Sequence, residues 1–234
     1  MLPPADGEPW RACVDALGES LVGVRRGVAL HVVVSDHFLR YVLMPWSDKL
    51  VTDAERLAFA RFTYAETYGS LADEWVLTMD EQVAGRASLA CAIDRDLLQA
   101  LREVATRRGV QLRSVRTVLG ERITRHRRAL KDAEFCLVSV EPGRLTLAFH
   151  NDSGWIAVRT RRIDDDLAEL LPDALRQEAA AADASEGGTV YLVGQALDEL
   201  ALTDVEGWKL ITINEPVPAT PTVAATAPAG AAAD

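Results

Sequence analysis

The chain has 234 residues, with 25 Lys and Arg against 35 Asp and Glu, a formal charge of −10, and 49% apolar residues. A globular chain of this length buries most of its apolar surface in one large or two small domains, which excludes a mainly disordered protein. The acidic balance argues against general nucleic-acid coating, because binding to phosphates depends on an excess of Lys and Arg.

The cysteines and the N-terminus predict a cytoplasmic protein. Cys13, Cys91 and Cys136 are odd in number and form no CxxC pair, which favours reduced thiols. The first residues, MLPPADGEPWRACVD, predict no export signal, and no stretch is apolar and long enough to predict a membrane-spanning helix.

The first part of the chain predicts a short helix followed by strands. Trp10, Val14, Leu17 and Leu21 have helical spacing within residues 1–27. The pattern then changes to period two, and residues 28–36 and 38–46 predict an antiparallel hairpin.

Helices with clear end signals come next. Thr52 and Glu55 predict a capping box, and Gly69 predicts the end of that helix. Strands are expected at residues 75–79 and 87–93. Asp94 then predicts the N-cap of a helix ending at Gly109. A strand at residues 110–115 and a helix at residues 118–130 follow.

The second part of the chain repeats this layout. Strands are predicted at residues 135–140, 144–151, 155–161, 189–193 and 208–213. Three acidic residues, Asp164, Asp165 and Asp166, predict the start of a helix that Pro172 kinks or restarts. A short helical stretch is expected at residues 197–200. The Pro/Ala-rich composition of residues 215–234 predicts a disordered tail.

Two strand-turn-strand segments align when residues 32–43 are set over residues 137–148. The alignment places Asp36 on Glu141, 105 residues apart. It predicts an N-terminal helical segment at 1–27, a first half at 28–117, a connecting basic helix at 118–134 and a second half at 135–214. Chance similarity between two hairpins is the alternative.

At these two turns the sequence resembles the actin-like superfamily, in which such acidic turns are phosphate loops. The stretches SDHFLRYVLMPW and VEPGRLTLAFHNDSGW are similar to the PilM, MshI and GspL type of cytoplasmic actin-like proteins of pilus and secretion assembly. The resemblance implies an α/β fold with a duplicated, RNase H-type actin-like core, mixed sheets with antiparallel hairpins, and flanking helices. It also implies a scaffold role in type IV pilus or secretion assembly, with the cytoplasmic segment of an inner-membrane protein as partner.

The turns depart from a phosphate loop, which needs small residues so that backbone N–H groups can reach the oxygens. His37 and Phe38 are bulky, Pro142 has no N–H, and Gly194 stands alone where a nucleoside-binding glycine cluster is expected. We therefore expect a non-catalytic protein without a cofactor, with Asp36 and Glu141 as degenerate loop positions. A nucleotide-dependent ATPase or phosphotransferase is the first alternative, with the two carboxylates binding a divalent cation.

Charge is segregated between residues 101 and 131, which hold ten basic and two acidic residues, a local charge of +8. Contact with the acidic remainder of the chain is the structural interpretation. The functional interpretation is an anion-binding module for lipid head groups or an acidic partner, which leaves peripheral membrane association open. Nucleic acid is not expected, because no aromatic residues are interleaved. The predicted partner-binding patch on the helix is formed by Arg122, Arg125, Arg127 and Arg128.

The four histidines have neither HxxxH nor mixed Cys/His spacing, so no metal site is predicted. The adjacent Ser35, Asp36 and His37 cannot form a hydrolase triad, because consecutive residues of a turn cannot place the three groups in one relay. His126 shares a stripe with Leu119 and Ile123 and is expected to be a helix-face histidine with a hydrogen-bond partner.

Overall fold

A computed structural model describes residues 8–81, 83–163, 166–185, 187–195, 197, 205 and 207–216. The helices are α1 Arg11–Ser20, α2 Asp53–Tyr68, α3 Arg95–Arg108, α4 Val118–His126 and α5 Leu167–Ala181. The strands are β1 Ala29–Val34, β2 Leu39–Met44, β3 Trp75–Met79, β4 Ser88–Asp94, β5 Gln111–Thr117, β6 Phe135–Glu141, β7 Arg144–Asn151, β8 Gly154–Arg162, β9 Gly188–Gly194 and β10 Trp208–Asn214.

The described strands form three sheets. β1 and β5 pair in parallel, and β2, β4 and β3 form an antiparallel sheet in that order. The third sheet is mixed and has the order β10-β9-β6-β7-β8. Within it β9 lies parallel to both β10 and β6, whereas β6, β7 and β8 form an antiparallel meander. The predicted α/β architecture with mixed sheets and flanking helices is therefore confirmed.

The two predicted hairpins have different outcomes. Strands β6 and β7 pair from Phe135↔His150 to Glu141↔Arg144, as predicted. The prediction that β1 and β2 pair with each other is wrong, because β1 pairs with β5 and β2 pairs with β4. The physical reason lies between them, where Asp36–Phe38 forms a 3₁₀ turn that sends β2 into a different sheet.

The predicted ends of α2 and α3 are confirmed. Thr52 and Glu55 form the reciprocal capping box at the start of α2, and Gly69 follows its last residue with a φ of 65°. The Asp94 carboxylate accepts hydrogen bonds from the first turn of α3, and Gly109 ends that helix in the left-handed region with a φ of 71°. These positive φ angles are strained for residues other than glycine.

Replacing Thr52 with Ala is expected to lower the free energy of unfolding by about 1 kcal/mol, because the cap hydroxyl satisfies an otherwise free N–H of the first turn. Urea denaturation measures this loss. Thr67→Ala, near the other end of the same helix, is the control and should change stability by about 0.5 kcal/mol or less. An equal loss in both variants would contradict the capping role.

Helix α5 begins after Asp166, whose carboxylate accepts a hydrogen bond from the N–H of Ala168. The helix continues past Pro172 without a restart, and the predicted kink at this position stays a prediction. Proline inside a helix removes one backbone bond and crowds the carbonyl oxygen four residues earlier, and the buried face of α5 keeps the helix continuous. The other predicted capping acids, Asp164 and Asp165, lie outside the described residues, as do positions 198–200 of the predicted stretch at 197–200 and positions 217–234 of the tail.

Three clusters of buried side chains form the cores. The largest joins α1, α3, β1 and β5 to one face of the mixed sheet. The second lies between the other face of that sheet and α5. The third packs α2 on the β2-β4-β3 sheet, with Tyr64 fully buried at its centre. Among the described residues, no helix is both long and apolar enough to cross a lipid bilayer.

Candidate functional site

The two acidic turns that the sequence aligned lie in contact with each other. The backbone N–H of Asp36 donates a hydrogen bond of 2.9 Å to Glu141 Oε1. One residue further along each turn, His37 Nε2 hydrogen-bonds the carbonyl oxygen of Pro142, also at 2.9 Å. The 3₁₀ turn at residues 35–38 and the β6–β7 turn at residues 141–144 therefore form one site, which we call the turn site.

Asp36 is the buried centre of the turn site, with 0% of its surface exposed. The hydroxyl of Tyr41 donates a hydrogen bond of 2.6 Å to Asp36 Oδ1. Burial raises the pKa of Asp36, the Tyr41 hydroxyl opposes that rise, and the nearby charge of Glu141 adds to it. Burial, together with the charge of Asp36, also raises the pKa of Tyr41. Asp36 is thus buried among protein groups, with Oδ1 bound to Tyr41 and Oδ2 without a hydrogen-bond partner among the described residues.

The turn site differs from a phosphate loop in its backbone N–H groups. A phosphate loop offers free backbone N–H groups to an anion, but the N–H of Asp36 already donates to a carboxylate. Pro142 has no N–H to offer, and Glu141 places a carboxylate beside the Asp36 amide. The His37 ring covers the second turn, since a Cβ on Gly143 would lie 3.7 Å from His37 Cε1.

Gly194, at the end of β9, is packed closely against β6. A side chain there would place its Cβ 3.0 Å from Val140 Cβ and 3.1 Å from the Val140 carbonyl oxygen. The carbonyl oxygen of Gly194 accepts a 2.7 Å hydrogen bond from the N–H of Glu215. The need for glycine at this position therefore comes from the close approach of β6, whereas the hydrogen bond to Glu215 uses a carbonyl that any residue has.

A cavity of about 160 Å³ opens beside the turn site, between residues 8–10, which precede α1, and the β2-β4-β3 sheet. Its aromatic lining comes from Trp10, Phe38 and Trp75, and its charged lining includes Arg40 and Asp94. Trp75 is held in place by edge-to-face contacts with Tyr64 and Tyr68. Apolar walls with a few fixed charges suit a side chain of a peptide ligand.

The structure separates the four arginines of the predicted patch on α4. Arg122 is buried, with only 4% of its surface exposed, so its place on an exposed patch is a wrong prediction. Its Nε donates a 2.8 Å hydrogen bond to Glu215 Oε2, and its Nη1 donates to the hydroxyl of Ser139. Arginine at this position faces inward because α4 packs that side against β6 and the end of β10.

Arg125 and His126 share the same carboxylate. Arg125 Nη1 lies 3.1 Å and His126 Nε2 lies 3.4 Å from Glu215 Oε1. The expected hydrogen-bond partner of His126 is thus confirmed. Burial alone would raise the pKa of Glu215. The charges of Arg122 and Arg125, and the hydrogen bonds from Arg122 and His126, hold this pKa below its usual value.

Arg127 and Arg128 are exposed and have no acidic partner within the described part of the chain. A role for these two residues in binding a partner stays a prediction. Among the described residues there is also no group of three or more His, Cys, Asp or Glu side chains arranged to hold a metal ion.

Sequence reasoning missed two members of these clusters. Tyr41 belongs to the predicted strand after Asp36, but no pattern indicated that its hydroxyl turns back to the turn site. Glu215 was assigned to the disordered tail, although its N–H pairs with Gly194 and its carboxylate binds α4. A single acidic residue beside a proline-rich segment carries no signal of a partner 93 residues earlier in the chain.

No protein-family model matches the sequence, and no curated protein matches it. Solved structures do match the fold. One is a PilM-PilN type IV pilus biogenesis complex, with 16% identity and a TM-score of 0.65 over 91% of this chain and 79% of that chain. A second is a Bacteroides thetaiotaomicron protein with an actin-like ATPase fold and unknown function, with 8% identity and a TM-score of 0.52 over 77% and 67% of the two chains.

A third is the cytoplasmic domain of EpsL, an inner membrane component of the type II secretion system of Vibrio cholerae. It has 10% identity and a TM-score of 0.50 over 87% of this chain and 76% of that chain. At these identities the likeness shows the fold. The resemblance to actin-like proteins of pilus and secretion assembly is therefore confirmed at the level of fold.

Proposed function

Because the chain has an actin-like fold, we propose that it is a non-catalytic scaffold of a type IV pilus or secretion-type assembly system. In this proposal it works in the cytoplasm and binds the cytoplasmic segment of an inner-membrane protein. Two of the fold neighbours belong to such systems, a PilM-PilN complex and the cytoplasmic domain of EpsL. Fold alone does not assign function, so the argument rests on the turn site.

One observation carries the non-catalytic part of the proposal, the hydrogen bond from the Asp36 N–H to Glu141. In this arrangement the protein supplies its own anion at the place where an actin-like ATPase would bind a nucleotide phosphate. A nucleotide would have to displace a carboxylate that is covalently part of the second turn, and it would meet like charge while doing so. The two carboxylates therefore hold the turns together in this proposal.

Calorimetry with Mg-ATP tests this part. We expect no heat of binding for the full chain at millimolar nucleotide. Micromolar binding that disappears in Asp36→Ala or Glu141→Ala would contradict the proposal and favour the ATPase or phosphotransferase alternative. Both variants should first be checked by circular dichroism, so that loss of binding is not confused with loss of fold.

The binding part of the proposal assigns the cavity beside the turn site to the partner. Phe38 lines this cavity, whereas Phe62 is 60% exposed on α2 and does not line it. Each can be replaced with the photo-crosslinker p-benzoylphenylalanine, which makes a matched pair because an aromatic residue replaces phenylalanine in both. We expect position 38, but not position 62, to capture an inner-membrane pilus or secretion protein in cells. Equal capture at both positions, or none at position 38, would contradict the proposed site.

A further inference from the structure

Two pairs of arginines that are far apart in the sequence lie at the same end of the molecule. Arg25 and Arg26 belong to the loop before β1, and Arg107 and Arg108 form the end of α3. The two segments are joined by backbone hydrogen bonds from Gly27 N to Gly109 O, 2.7 Å, and from Gln111 N to Val28 O, 2.8 Å. We call Arg25, Arg26, Arg107 and Arg108 the four-arginine cluster.

The contact between the two segments is close. A Cβ on Gly109 would lie 2.9 Å from Arg26 Nε, so the Arg26 side chain lies directly against the glycine that ends α3. Gly23 and Gly27 both have a φ of 81°, which lets the loop before β1 turn back towards that helix end. The cluster is therefore built by the fold and is absent from any single stretch of sequence.

Few acidic groups neutralise this cluster. The described ion pairs assign it one carboxylate, that of Glu19, which lies 3.2 Å from Arg108 Nη2. Glu103, about one turn earlier on α3, instead accepts a hydrogen bond from Gln99. Basic residues at the end of a helix offset its dipole, which accounts for Arg107 and Arg108. Arg25 and Arg26 lie outside any helix, so this account does not cover them.

We propose that the four-arginine cluster is a contact surface for the anionic phosphate head groups of a lipid bilayer. Three observations favour a bilayer over an acidic peptide or a nucleic acid. Arg25, Arg26 and Arg107 are exposed, and Val22 beside them is 60% exposed, which supplies an apolar side chain for the head-group region. None of the four arginines lines the cavity where a peptide side chain would fit.

The third observation is the charge of the rest of the chain. Apart from the four arginines and Glu19, it holds 21 basic and 34 acidic residues. An anionic bilayer attracts the cluster and repels this remainder, so the protein would meet the membrane with one end. A flat bilayer touches only one end of the molecule, whereas a nucleic acid or an acidic peptide can extend from the cluster onto the acidic remainder and would be repelled there. The inference does not depend on the proposed scaffold function, because it needs no protein partner.

Vesicle sedimentation with the full chain tests the proposal, using phosphatidylcholine vesicles with and without phosphatidylglycerol at low salt. We expect binding to the mixed vesicles alone, and release when salt is added, because salt screens exposed charges. Each arginine near an anionic surface strengthens binding by about fivefold, so R25Q/R26Q should bind about 25-fold more weakly.

R61Q/R86Q is the control, since it removes two exposed arginines that belong to neither basic patch, and it should bind within about twofold of the unchanged chain. An equal loss in both double variants, or a loss confined to R61Q/R86Q, would overturn the proposal. It would also be overturned if the chain did not bind the mixed vesicles, including the case in which polyglutamate or DNA binds through Arg25 and Arg26 instead. Circular dichroism should give the same melting temperature for all three proteins.

Discussion

Replacing Arg122 with Ala is expected to lower the free energy of unfolding by about 3 kcal/mol, because it leaves the partly buried Glu215 without its closest cation. The side chains of Arg122 and Glu215 are only 5% and 11% exposed. This loss of stability should be among the smaller values for removal of one partner of a buried ion pair, because Arg125 still contacts Glu215. Urea denaturation at neutral pH measures it.

Arg128→Ala is the control for this variant. Arg128 lies on the same chain segment but is exposed, so its truncation should change stability by about 0.5 kcal/mol or less. If Arg122→Ala were equally mild, the buried pair would contribute nothing to the docking of α4 on the second half.

The same pair also predicts a dependence on pH. Because the pKa of Glu215 is lower in the folded chain than its usual 4.5, the stability it contributes is present above that value. It is lost as the pH falls through the folded-state pKa. In Arg122→Ala the decline below about pH 4.5 should therefore be shallower than in the unchanged chain. If stability declined equally at low pH in both proteins, Arg122 would not be what lowers the pKa of Glu215.

Replacing Tyr41 with Phe is expected to cost about 2 kcal/mol at about pH 8, the value of a buried hydrogen bond to a charged group. The Tyr41 hydroxyl donates to Asp36, and the variant leaves that carboxylate without this donor. The pKa of Asp36 is raised in the folded chain, so its favourable contribution is fully present below its usual 3.8. This contribution is lost as the pH rises through the folded-state pKa.

The cost of Tyr41→Phe should therefore be smaller at about pH 4 than at about pH 8, because lower pH favours the protonated form of Asp36, and it should grow as the carboxylate ionises. Denaturation curves across this range measure the growth. Tyr68→Phe is the matched control, because no hydrogen bond of its hydroxyl is found in the described part of the chain. It should show a small cost that does not vary with pH. A cost of Tyr41→Phe that is independent of pH would place the ionisation of Asp36 outside the pH range studied.

Local signals predicted the helices and most strands well. Thr52, Gly69, Asp94 and Gly109 act through bonds within a few residues, so their effect can be read from adjacent sequence. The β6–β7 hairpin also follows from local turn chemistry at residues 141–144. The strand that pairs with β1 could not be predicted from adjacent sequence, because its partner β5 begins 82 residues further along the chain.

The candidate site was predicted in part for the same reason. Aligning the two turns identified Asp36 and Glu141, and the structure brings these two residues into contact. Which of the arginines are buried could not be predicted, because counting charges does not indicate which side chains face inward. Arg122 and Arg128 look alike in sequence, yet one is buried against Glu215 and the other is exposed. Tertiary packing made that difference.

The hydrogen bond between the two turns also has a consequence for the order of folding. Its two residues are 105 positions apart, so closing this loop costs chain entropy that the hydrogen bonds between the two turns must offset. Each strand-turn-strand unit must already be formed before the Asp36 amide can meet Glu141. The turn site should therefore be among the last parts of the molecule to become ordered, and a fragment holding either half alone cannot form it.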